Sequence, residues 1–157
     1  MILMQYGLLV ALALALVFAA ASDIHRRKIG NGLNAAIALG APFFWWASGM
    51  ALWPDVAWQL GFAVLAFAIF VGMFAAKLMG GGDVKLLTAL ALWIEPLAFM
   101  QLLVIMALVG GLLAALVFTI KVMRKRKARP SVPYGVAIAA GALWVLAPKL
   151  LAVPVFA

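Results

Sequence analysis

The chain has 157 residues, 69% of them hydrophobic, a mean hydropathy of +1.23 and a formal charge of +8. Apolar content this high excludes an ordinary soluble domain. The absence of cysteine excludes disulfides, cysteine nucleophiles and thiolate metal sites, and the single His25 cannot build a histidine metal centre alone.

Six apolar spans follow one another at about 2–22, 33–53, 57–76, 84–94, 97–120 and 134–153, read against the roughly 20 apolar residues that carry a helix across a bilayer. They predict an all-α polytopic membrane protein with a single domain over residues 1–157. The first span ends in Ala19-Ala20-Ala21, which looks like a signal-peptidase site. No Lys or Arg precedes it, so the spacing predicts a retained helix. Asp23 follows at its end, with Arg26 and Arg27 at ion-pair spacing and His25 as an interfacial residue. The second span carries Pro42, which predicts a kink or an early turn.

Between the third and fourth spans lies Gly80-Gly81-Gly82-Asp83-Val84-Lys85-Leu86. The glycines allow a sharp turn, and an aspartate before an apolar run is a good helix cap. The spacing is not that of a phosphate loop. The fourth span is short and ends at Glu95-Pro96. It either continues through that dipeptide or starts below the membrane surface, which would leave Asp83 facing protein or water. The tract Lys121 to Arg129 reads as a solvated inner loop, and Lys85 as a topology or lipid anchor.

The basic residues set the orientation. Loops near 23–32, 77–85 and 121–133 hold eleven of the twelve, and loops near 54–56 and 95–96 hold none. This pattern predicts cytoplasmic basic loops, contact with anionic lipid and no nucleic-acid partner. Asp23 and Asp83 then share the cytoplasmic side, and Asp55 and Glu95 fall outside. Two carboxylates around one water can hydrolyse a peptide bond, one as base and the other, protonated, as acid. Close approach forces them to titrate apart. No metal or cofactor is required.

The glycine–aspartate run resembles the signature of the type IV prepilin peptidases, within the G-x-G-D intramembrane aspartyl proteases. Asp23 with Arg27-Lys28-Ile29-Gly30-Asn31 resembles that family's first aspartate and the basic run after it. Pro133-Tyr134-Gly135-Val136-Ala137-Ile138-Ala139-Ala140-Gly141 resembles its last-helix motif. Gly30 stands where the family usually has proline, which frees a turn that proline would fix. The resemblance implies Asp23 and Asp83 as catalytic residues, with Gly80, Gly82, Lys28, Asn31, Lys85, Pro133, Tyr134 and Gly135 supporting them. It further implies an aspartyl endopeptidase of the bacterial inner membrane. Such an enzyme removes the leader of prepilins or pilin-like proteins on the cytoplasmic side, cutting after a glycine just before the hydrophobic pilin helix. The short form, without paired cysteines or a long loop, resembles the peptidases of tight-adherence (Flp) pili and implies no methyl transfer. Two other readings of the aspartates are a proton pathway in a small transporter, although the two halves do not repeat, and helix caps in a non-enzymatic assembly subunit.

The charge pattern makes a direct prediction. Reporter fusions after residues near 28 and 80 should be cytoplasmic and those near 55 and 96 outside. An outside position for residue 80 would separate the two aspartates across the membrane.

Overall fold

The structure is a computed structural model and describes residues 1–123 and 133–152. Among these residues there is no strand, and the helices are α1 (Ile2–Arg26), α2 (Asn31–Ala47), α3 (Ala57–Ala75), α4 (Gly81–Ala91), α5 (Pro96–Met123) and α6 (Tyr134–Leu151). The basic tract 124–129 lies outside the described residues.

The protein is an all-α polytopic membrane protein. Among the described residues, four helices are long and apolar enough to cross a membrane: α1, α3 with the turn before it, α5 and α6. The other two fall short. α2 runs through Pro42 without a break and stops at Ala47, where Ser48 and a left-handed Gly49 turn the chain. It therefore ends well before the predicted residue 53. A wide turn over Leu52–Val56, non-helical at Trp53, then leads into α3. α1 continues unbroken through Ala19-Ala20-Ala21 and carries Asp23 on its final turn.

α4 has only 11 residues, about 16 Å of helix at 1.5 Å per residue. It does not continue through Glu95-Pro96, because α5 begins at Pro96. It starts three residues earlier than the apolar run predicts, since Gly81, Gly82 and Asp83 form its first turn. α4 packs against α2, α3 and α6, which explains the burial of Leu86, Leu87, Ala89, Leu90 and Ala91.

A helix that stops inside a protein leaves carbonyls without partners, and each is costly away from water. Two side chains supply donors to three of these carbonyls. Gln59 Nε2 on α3 donates to the Ala91 and Ile94 carbonyls at 2.7 and 2.9 Å, and Trp45 Nε1 on α2 donates to the Leu92 carbonyl at 2.8 Å. Gln59 is buried. This is the physical reason that so short an apolar segment ends where it does.

The other close interface joins α5 and α6. In lipid, small residues that let backbones approach replace much of the hydrophobic driving force. Gly141 does this on α6, because a Cβ there would stand 2.6 Å from the Leu102 carbonyl oxygen and 3.3 Å from the Met106 nitrogen. Backbone cannot swing aside as a side chain can. Gly141→Ala should therefore destabilise the protein by about 1–3 kcal/mol, read as a lower unfolding temperature in detergent. Gly61→Ala, where a Cβ meets nothing within 4 Å, should change it little.

Candidate active site

Three chain segments converge at one end of the bundle. The last turn of α1 brings Asp23, the first turn of α4 brings Asp83, and the start of α6 brings Tyr134 and Gly135. Asp23 and Asp83 line one open cavity of about 550 Å³, together with Arg27, Lys28, Ile29, Gly30, Asn31, the three glycines and Tyr134. Asp55 and Glu95 line a separate cavity of about 600 Å³ with Lys149, which pairs with Glu95 at 3.1 Å.

Asp23 is 8% exposed. Its Oδ2 accepts a hydrogen bond of 2.7 Å from the Gly135 N–H. That donor is one of the free N–H groups at the start of α6, where a negative charge is favoured. The approach needs glycine: a Cβ on residue 135 would stand 2.8 Å from Asp23 Oδ2 and 3.0 Å from Asp23 Cγ.

Asp83 is held from below by its own loop. Gly80 occupies the cap position of α4, and the Asp83 carboxylate turns back to the Gly80 N–H. This is the reach of a third-position acid in a capping box. A Cβ on Gly80 would stand 2.8 Å from Asp83 Oδ2, so Gly80 makes room for the carboxylate itself. Gly82 has only ordinary contact distance to Ile29, 3.6 Å at the nearest atom. Asp83 stands before the apolar run of α4, outside the four long apolar helices. Burial, with the charge of Asp23 adding to it, pushes its carboxyl up from 3.8 to about 6 against the opposing Gly80 hydrogen bond.

The remaining motif residues form the rim. Arg27 ends α1 in a left-handed conformation, its N–H bonded to the Asp23 carbonyl at 3.0 Å. Ser22 Oγ donates to the Lys28 carbonyl at 2.9 Å, and Ile29 is buried beside Gly82. Lys85 Nζ donates to Asn31 Oδ1 at 2.9 Å. Lys85 therefore ties α4 to the first residue of α2, a role that its reading as a lipid anchor does not include. Pro133 precedes α6 at its cap position, and Tyr134 is partly exposed. His25 is exposed and does not line the cavity.

Asn34 did not stand out in the sequence. It is 5% exposed, its Nδ2 lies 3.5 Å from the Gly82 carbonyl, and its Oδ1 has no protein partner. The one available signal was an amide one turn after Asn31, on the first turns of a helix that is otherwise apolar.

Among known proteins, the sequence model of the type IV leader peptidase family matches residues 10–119, most of the chain and both aspartates. The α6 residues lie beyond that match. No curated protein and no solved structure matches the chain.

The coupling of the carboxylates can be measured. Asp23→Asn removes the second cause of the Asp83 shift and leaves burial, the larger one. Ionisation of Asp83, followed by the pH dependence of its carbodiimide labelling, should fall below about 6 yet stay above 3.8. An unmoved midpoint would mean that the two groups do not sense each other.

Proposed function

The chain belongs to the type IV leader peptidase family, and from that premise we propose that it is an aspartyl endopeptidase that removes the leader from type IV prepilins of the Flp type. The site of action is the cytoplasmic face of the bacterial inner membrane. The observation that carries this reading is the convergence of Asp23 and Asp83, from different helices, on one cavity.

The chemistry follows from their surroundings. Asp83, pushed up to about 6, holds a proton more readily than an ordinary carboxyl and is the acid. It donates that proton to the carbonyl oxygen of the scissile bond and takes it back as the tetrahedral intermediate collapses, while the proton that Asp23 draws from the attacking water goes to the leaving nitrogen. Asp23 takes a proton from the attacking water. Gly135 fixes one of its oxygens, so its orientation is set before substrate arrives. Each carboxylate thus ends the turnover in the protonation state in which it began. Arg27 and Lys28 on the cavity wall compensate part of the negative charge.

A cap reading of Asp83 has one specific observation in its favour, the hydrogen bond from Gly80. Co-expression with a prepilin separates the two readings. Asp23→Asn and Asp83→Asn should each lower cleavage by about 10²–10⁴-fold, the usual contribution of a general acid or base. Both proteins should still accumulate in the membrane. The double variant should be little worse than either single one, because the groups act as a unit. Asp55→Asn and Glu95→Gln, in the other cavity, should leave cleavage near the unsubstituted level. Full activity in Asp83→Asn would make that residue a cap and end the aspartyl mechanism.

A further inference from the structure

A second cavity of about 610 Å³ opens beside the first and shares Gly80, Asp83 and Tyr134 with it. Its character is different. Away from the shared residues it is lined by Met73, Lys77, Leu78 and Met79, by Met106, Ala107 and Gly111 on α5, and by Ile138, so among the described residues Lys77 is the one charged side chain added to a mostly apolar wall. It lies between α3 and α5, which do not pack along their length: α3 packs on α4, and α5 on α6. α3 and α5 do meet near the start of α5. There Phe99 contacts Phe62 and Phe70, with ring centroids 5.4 and 6.2 Å apart. The two helices are therefore pinned at the Phe99 end and part toward Asp83, leaving a wedge.

We propose that this wedge receives an apolar transmembrane helix of the substrate and presents the peptide bond at the end of that helix to Asp83. The inference rests on the peptidase reading above and adds where the substrate lies. Three observations support this occupant. The wedge is continuous with the carboxylate cavity through Asp83 itself, so a chain lying in both must pass the carboxylate. The two cavities differ in chemistry: the carboxylate cavity is walled by Arg27, Lys28 and Asn31, and the wedge mostly by methionines, Leu78, Ile138 and small residues, with Lys77 its one cation among the described residues. A substrate that fits both is polar on one side of its cut and apolar on the other. Finally, the α5 wall is built for helix contact. Ala107 and Gly111 lie one turn apart, the small-residue spacing that admits a second helix closely, and a Cβ on Gly111 meets nothing within 4 Å. Methionines opposite such a strip adapt to varied side chains.

The open space at Gly111 makes the test clean. Gly111→Leu projects into the wedge from a position whose Cβ meets nothing within 4 Å. It should lower cleavage of full-length, membrane-embedded prepilin at least tenfold, with the protein still accumulating. Gly61→Leu, on α3 with equally open space and outside the wedge lining, should cut normally. The chain has no cysteine, which permits a second measurement independent of activity. In an Asp83→Asn background, Gly111→Cys should crosslink to a cysteine in the first turns of the prepilin helix, and Gly61→Cys should not. Unchanged cleavage by Gly111→Leu, or crosslinking at position 61 but not 111, overturns the wedge and leaves the peptidase reading standing. If the unsubstituted protein cuts no prepilin, the prepilin reading itself falls and the wedge with it.

Discussion

The hydrogen bond from the Gly135 N–H to Asp23 Oδ2, at 2.7 Å, is the contact on which the rest of the site depends. It joins the end of the first helix to the start of the last. A buried carboxylate without a partner is costly, and here the free N–H of a helix start meets that need. The same contact sets Tyr134, one residue earlier, at the border of both cavities. It works only because residue 135 has no side chain, since a Cβ would lie 2.8 Å from the oxygen it is meant to serve. The position of α6 is then fixed a second time by Gly141 against the Leu102 carbonyl, so α5 follows α6 and one wall of the wedge follows α5.

The second carboxylate is held by different means. Asp83 depends on its own loop, through the Gly80 N–H, and on α4 being buried among three helices. Burying the body of α4 while leaving its first turn at a cavity puts the carboxyl where burial outweighs hydration. That imbalance, with a second carboxylate nearby, raises Asp83 above an ordinary carboxyl. Lys85 reaches Asn31 rather than Asp83, so the nearby cation braces α4 against α2.

Much of this was legible in the sequence, for identifiable reasons. Asp23 and Asp83 stood out because acids are scarce in this chain and each lies between an apolar run and a basic loop. The number of helices followed from apolar runs and their breaks. The bounds were less legible. Gly81 and Gly82 are poor helix formers, yet they lie in α4, where the chain is held beside Ile29 and Asn34. α2 ends at a turn whose Gly49 adopts positive φ, and composition did not separate that stop from the apolar residues after it. Gln59, Trp45 and Asn34 were missed for one reason. A single polar side chain in an apolar helix has no spacing signature, and its purpose is set by a carbonyl elsewhere in the fold.

Those carbonyls show why the two ends of the bundle behave differently. At the Glu95 end, the free carbonyls Ala91, Leu92 and Ile94 are met by Gln59 and Trp45, and rings from α3 and α5 close on one another. The Glu95–Lys149 pair there is exposed on both partners, at 72% and 46%, and such a pair contributes only about 0–1 kcal/mol. The buried hydrogen bonds therefore hold that end, not the ion pair. At the carboxylate end the two carboxylates bind backbone N–H groups of glycines, and α3 and α5 part. A helix pair pinned at one end only can admit a third helix at the other without breaking its own contacts. A rigid far end is thus the condition for an open near end.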